Sequence, residues 1–258
     1  DAGAALKAKG VAEVMLPANK IDEPTTINTI SMFWGLGGQL VDESGAPVFF
    51  QGDNATYLAQ VFQFCRDLVT RSAMPATVVG MDEAAIRPFF YSGEALAIGQ
   101  SSSSIRQIWT DFPPAKGDLA VADYPMPPGK TAIPVLGGFS YIVTTADPAR
   151  RAAAWKFVSF MTSAENMGAI DEALGQLPVR ASVWKDNRFF ATDPLMQSYK
   201  ALYDGPLKVR PPVPIYPAIS AAISTEVAEV VAGHETPEQA VAKARDAVMA
   251  EYNRQNGH

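Results

Sequence analysis

The chain is poor in the residues that carry most protein chemistry. Histidine occurs twice, as His234 beside Gly233 and as the final His258, and cysteine once, as Cys65. So few ligands cannot build a Cys/His zinc cluster, and no HExxH pattern is present. A single cysteine forms no internal disulfide, so cysteine usage does not decide the compartment. Cys65 stands at helical spacing with Leu58, Val61, Phe62, Leu68 and Val69, which predicts a core position. Basic runs are missing as well: none exceeds the pair Arg150-Arg151, and the net charge is −6. That argues against a nucleic-acid partner. No apolar run approaches the roughly 18 residues that would span a membrane. P-loop and GxGxxG patterns are absent, and neither Ser140 nor the serine run at 101–104 has a histidine base to activate it. The acidic pairs Asp82-Glu83 and Asp171-Glu172 read as solvated helix faces, because charged side chains are mostly exposed. The expectation is a protein with no catalytic residues, no metal and no cofactor: not an enzyme.

What is present is an ordinary globular composition. At 258 residues, 48% hydrophobic and 19% charged, the chain can bury a core as one large domain or two modest ones. Its organising stretch is FFYSGEALAIGQSSSSIRQIW, Phe89 to Trp109. An aromatic pair and a turn lead into a short apolar run, Ala95 to Gly99. Four serines follow, then Ile105, Ile108 and Trp109 at helical spacing. This reads as strand, tight turn and helix start, with the serines either capping the helix or seating a polar ligand at its N-terminus.

Taken in order, DAGAALKAKG is the end of a helix stopped by Gly10, and Val11 to Leu16 has a strand's length and β-branched content. NKIDEPTT is a polar loop broken by Pro24, and Ile27 to Leu36 a hydrophobic helix ended by Gly37. Gly38 to Phe50 predicts a hairpin around Glu43-Ser44-Gly45. A helix capped by Asp53 or Asn54 runs to about Arg71, and another occupies Met81 to Tyr91. Beyond Trp109 the passage is proline-rich, with a short strand near Leu119 to Tyr124. Leu136-Gly137-Gly138-Phe139-Ser140 enters a strand, Tyr141 to Thr145. Asp147-Pro148 starts a helix, and a second runs from Ala164 to Leu174 and stops at Gly175. Short helical pieces fill Ala181 to Tyr203, and Arg210 to Tyr216 is extended. Two helices close the chain, Ile219 to Val231 and one opened by the capping box Thr236-Pro237-Glu238-Gln239.

The ordered succession FFYSGEALAIGQSSSS, YPMPPGK, LGGFSYIV, AAAWKFVSFMTSAENM, GQLPVRASVW, RPPVPIYPAIS and AGHETPEQAVAKA resembles extracellular solute-binding proteins of carbohydrate ABC importers. The subgroup it is most similar to takes maltose, trehalose and related oligosaccharides. The resemblance runs from Ala4 nearly to the end. It implies an α/β fold of the type II periplasmic-binding-protein kind, in which two lobes close over a sugar. By that resemblance residues 1–134 and 190–258 belong to lobe two and 135–189 to lobe one. It also implies a further first-lobe region upstream of Asp1 and weak sugar binding by this length of chain. The partners it implies are a small carbohydrate and the importer's transmembrane permease, at a periplasmic or extracellular location with a possible lipid anchor. Glycerol 3-phosphate or a glycerophosphodiester is the alternative ligand. A carbohydrate-active enzyme or a sensory module is the weaker alternative of another class.

Ligand contacts follow from the resemblance at four places. Gln100, Ser101, Ser102 and Ser103 form the turn where relatives often carry an aromatic platform, so serine there implies hydrogen bonding in place of stacking. Gly137, Gly138 and Phe139 enter the lobe-one strand; glycine lets backbone approach a ligand, and Phe139 offers a ring face unless it is core. Arg210 and Tyr216 bound the segment where some relatives use arginine to reach hydroxyls. Asp22, Glu23, Thr25 and Thr26 occupy a loop that in relatives often supplies another aromatic contact. Trp34 is read as core.

Overall fold

The structure, a computed structural model, describes residues 2–257. Its helices begin and end where local chemistry dictates. Helix α1 (Ala2–Ala8) leads to an extended run, and α2 (Glu23–Leu36) follows. The Asp22 carboxylate caps α2 by accepting from the Thr25 amide at 2.9 Å, Pro24 sits in its first turn, and Gly37 ends it in the left-handed conformation at φ 111°. Proline is harmless there because the first-turn N–H groups have no intrahelical partner. Hence Glu23, Thr25 and Thr26, expected in a loop, are helical. Next come α3 (Gly52–Thr70), entered from Gln51 and not from Asp53 or Asn54, and α4 (Glu83–Tyr91), capped by Asp82. After α5 (Ile105–Asp111) comes strand β1 (Val135–Leu136). Then α6 (Pro148–Met161) starts on an Asp147 cap with Pro148 in its first turn, and α7 (Ala164–Leu174) ends on Gly175. Short helices α8 (Ala181–Asp186), α9 (Arg188–Thr192) and α10 (Pro194–Tyr203) precede β2 (Lys208–Val209). The chain closes with α11 (Tyr216–Ala232) and α12 (Pro237–Gln255), the latter opened by the expected Thr236–Gln239 capping box.

The chain divides into two compact units. The first comprises Asp1–Gln100, Asp123–Leu136 and Leu207–His258; the second comprises Ser101–Ala122 and Gly137–Pro206. The second unit thus takes in residues 101–122 and 190–206, which the sequence reading had assigned to lobe two.

In the first unit, α11 packs against α2, α3 and α12. Ile219, Ile223, Val227 and Val230 on α11 meet Ile30 and Phe33 on α2, Leu58 and Phe62 on α3, and Ala240, Ala244 and Val248 on α12 in one core. Each large apolar side chain buried in this way stabilises the fold by about 1.5–3 kcal/mol. The sheet component is slight and parallel. β1 pairs with β2 in the register Val135 to Lys208 and Leu136 to Val209. Residues 12–15 pair with 95–98 through isolated parallel bridges, Ala12 to Ala95 and Met15 to Ile98. The expected hairpin is present: Val41 faces Pro47, and the Asp42 carboxylate accepts from the Ser44 and Ala46 amides around Gly45. α2 is approached closely by backbone: a Cβ on Gly35 would stand 2.5 Å from the Thr131 carbonyl oxygen and 2.9 Å from Ala132 Cα.

The core of the second unit is small, with Ile105, Val183, Trp184, Phe190, Leu195 and Met196 as its buried members. Trp184 stacks edge-on with Phe190 at 5.5 Å and donates its indole N–H to the Pro178 carbonyl at 2.7 Å. Two expectations fail here. Neither Tyr141 to Thr145 nor Leu119 to Tyr124 forms a strand. An extended segment becomes a strand only by ladder pairing with a neighbouring strand, and neither segment belongs to a ladder. Helix α6 also departs from the pattern: no residue of it is buried, and Trp155, Phe157 and Phe160 are more than half exposed.

The glycines separate two outcomes. Gly35→Ala is expected to destabilise the chain by about 1–3 kcal/mol, because the new methyl meets backbone that cannot step aside. Gly138→Ala, where a Cβ meets nothing within 4 Å, should stay within about 0.5 kcal/mol. Urea unfolding of the two variants beside the parent protein measures both.

Candidate functional site

The most organised polar cluster among the described residues forms where the N-terminus of α2 meets the segment 210–220. Glu23 is at its centre. Its Oε1 accepts from Arg210 Nη1 at 2.9 Å and from the Tyr216 hydroxyl at 2.7 Å, and its Oε2 accepts from the Ser220 hydroxyl. The donors lie 187 to 197 residues further along the chain. Tyr216 opens α11 and Ser220 stands one turn later, so both project toward α2 from one helix face. Ser220 Oγ is also 3.0 Å from Thr26 Oγ1, and Thr26 donates to the Ser220 carbonyl at 2.8 Å.

The electrostatics are those of a carboxylate with strong donors and an open side. The Glu23 and Arg210 side chains are 33% and 36% exposed. At that exposure the ion pair contributes at most about 1 kcal/mol, and a solute can reach it. Burial, reinforced by the neighbouring carboxylate, raises the Tyr216 hydroxyl above its ordinary pKa, so it remains a donor at neutral pH. A carboxylate beside a guanidinium and hydroxyls offers acceptor and donors to adjacent hydroxyls of a neutral ligand.

The sequence-predicted residues fare differently from one another. Glu23, Arg210 and Tyr216 converge. Thr25 and Thr26 are buried and engaged: Thr25 Oγ1 donates to the Asp22 cap at 2.7 Å and accepts from the Asn19 amide, while Thr26 bridges to α11. Gln100 is half-buried in the first unit; its Nε2 donates to the Glu83 carbonyl at 2.8 Å, and its Oε1 is buried with no partner. Ser101, Ser102 and Ser103 belong to the second unit, where Ser102–Ser104 is a 3-10 turn and the Ser101 and Ser103 hydroxyls lie 2.8 Å apart. Neither Ser101 nor Ser104 makes a side-chain cap, and the helix that follows has only seven residues. Of the two expected roles, the serine side chains do not take that of helix cap. Gly137, Gly138 and Phe139 lie exposed in the second unit, Phe139 at 93%. Trp34 is buried as read, with the Lys208 ammonium 5.6 Å from its ring centre. The sequence reading missed Ser220; its i+4 spacing from Tyr216 on an N-terminal helical turn was the available signal.

Tyr216→Phe is expected to cost about 1–2 kcal/mol, the lower part of the range for a hydrogen bond to a charged group because Glu23 is partly solvated. In a Glu23→Gln background the cost should shrink markedly. Urea unfolding of the four proteins in a double-mutant cycle reads the coupling, and a coupling near zero would separate Tyr216 from Glu23.

Comparison with known proteins follows this geometry. The family model described as bacterial extracellular solute-binding protein matches residues 1–168. A probable amino-acid ABC transporter periplasmic-binding protein of Sinorhizobium fredii is 28% identical over 251 residues, covering 92% of this chain and 52% of that protein. Among solved structures, maltose-bound MalE3 of T. maritima aligns with a TM-score of 0.81 at 26% identity, over 96% of this chain and 62% of the other. The sugar-binding protein MalE of Xanthomonas citri aligns at 0.79 and 18% identity, over 99% of this chain and 63% of the other. A solute-binding protein of Thermotoga lettingae bound to α-D-tagatose aligns at 0.76 and 23%, over 94% and 60%. The chain spans about half the length of the curated relative and about three-fifths of these solved chains. Its fold is the expected α/β, type II periplasmic-binding-protein kind. With a match over more than half of its length, the chain belongs to the family of bacterial extracellular solute-binding proteins.

Proposed function

We propose that this chain takes part in capturing a neutral, hydroxyl-rich solute, a sugar or sugar alcohol, for delivery to the permease of an ABC importer. The observation that carries the reading is the Glu23–Arg210–Tyr216–Ser220 cluster, a carboxylate held by three donors and still one-third exposed. Hydroxyl groups donate and accept at once, so a diol can bridge a carboxylate and a guanidinium where a purely anionic or purely cationic group matches only one of them. The maltose and tagatose in the related structures are ligands of this kind. A phosphate ester, the alternative from sequence, would face the Glu23 carboxylate at the same place, and like charge disfavours it. The role is one of binding and transport without catalysis, at a periplasmic or extracellular location.

Ligand-detected NMR, which registers millimolar binding, tests the reading on this chain. Maltose, trehalose, ribitol, glycerol 3-phosphate and a set of amino acids form the panel. Saturation transfer is expected to at least one neutral sugar or polyol, and Arg210→Ala should weaken it by about fivefold or more, which is ~1 kcal/mol. Transfer to an amino acid or to glycerol 3-phosphate alone would overturn the neutral-polyol reading. Silence across the panel would remove the ligand seat from this chain.

A further inference from the structure

The turn between α11 and α12 buries two carboxyl groups against each other. Glu226, on α11, is 9% exposed, and the Glu235 side chain, just ahead of α12, is 11% exposed. Each has an Oε2 atom removed from solvent and without a hydrogen-bond partner. Two ionised carboxylates in a dry contact repel each other and offer no donor between them; one proton held between them gives a donor and removes the repulsion. The surroundings decide where the charge resides. Lys243 of α12 pairs with Glu235 Oε1, and Arg66 of α3 donates to the Glu235 carbonyl at 3.0 Å. Glu229, one turn along α11, is engaged by Lys20 and by His234 Nδ1. Lys243 thus lies on the Glu235 side of the pair, and a proton is better held on the Glu226 side.

We propose that a single proton held by Glu226 against Glu235 forms a pH-sensitive clasp on the α11–α12 turn, closed when protonated and loosened when the proton is lost. Burial first, and the charge of Glu235 next, push the Glu226 acid up to about 7, against an opposing contribution from Lys243. The sign follows directly. In the unfolded chain Glu226 ionises near its ordinary 4.5, so the folded state binds the proton more tightly. The clasp's contribution is complete below about 4.5 and is lost as pH rises through about 7. The device is independent of the solute bound, since it lies in the α11–α12 turn and uses none of the Glu23 donors.

Carbon-13 carboxyl NMR of the protein, with thermal unfolding at pH 5 and pH 8, tests it. One glutamate is expected to titrate with a midpoint near 7 and to vanish in Glu226→Gln. In Glu235→Gln that midpoint should fall toward the ordinary glutamate range. Glu226→Gln, a neutral mimic of the protonated acid, should gain at least about 2 °C more in Tm over the parent protein at pH 8 than at pH 5. Titration of every glutamate below about pH 5.5, an unchanged midpoint in Glu235→Gln, or an offset equal at both pH values would each overturn the clasp. The parent protein's own titration decides the matter even where a variant fails to fold.

Discussion

Much of the first unit depends on the burial of α11. Three helices, α2, α3 and α12, close on it, and its 17 residues bury ten of their number. Such a helix has few places to keep polar groups, and its two buried serines are hydrogen-bonded. Ser224 donates to the Ser220 carbonyl and accepts from the Asp22 amide. Thr26 and Ser220 join α2 to α11 through a pair of hydroxyl contacts. On α2 the buried Thr29 and Asn28 return their donors to carbonyls four residues back. Burial of these polar residues is tolerable because their donors are paired, either one turn back on the same helix or across the α2–α11 contact.

The same packing creates the Glu23 cluster. A capping aspartate and a first-turn proline set where α2 starts, which places Glu23 at the helix N-terminus, where a negative charge is favoured by the helix dipole. Docking of α11 then delivers Tyr216 and Ser220 to it, and the segment ahead of α11 delivers Arg210. The opposite end of α11 shows the contrasting case. There Glu226 and Glu235 are placed against each other, with Lys243 paired to Glu235. One end of the helix presents a satisfied carboxylate to solvent; the other holds an acid pair out of it.

Helices were legible in the sequence because their signals are local. Asp147-Pro148, Gly37, Gly175 and the Thr236–Gln239 box each act within a few residues, and the structure has helix ends at all of them. The error at Pro24 was a matter of position: proline breaks a helix interior and starts a helix at its first turn. Strands were read less well. Tyr141 to Thr145 has the composition of a strand, yet composition supplies no hydrogen-bonding neighbour. The aromatic residues of α6 stay exposed, because apolar content does not say whether anything covers a helix.

The candidate site shows the same division. Sequence alone supplied the chemistry of the site, hydroxyls with Arg210 and Glu23 in separate segments, and a motif order that resembles solute-binding proteins. It also determined most of the helix ends, since caps and glycine termini are interactions within a single turn. Only the tertiary structure decided that Glu23 meets Arg210, Tyr216 and Ser220 across nearly two hundred residues, and that Thr25 and Thr26 are consumed in holding α2. Only there do Glu226 and Glu235 face each other without solvent. The reason is physical: a hydrogen bond or a desolvated charge pair depends on distance in space, and the packing of α11 against its three neighbours sets that distance.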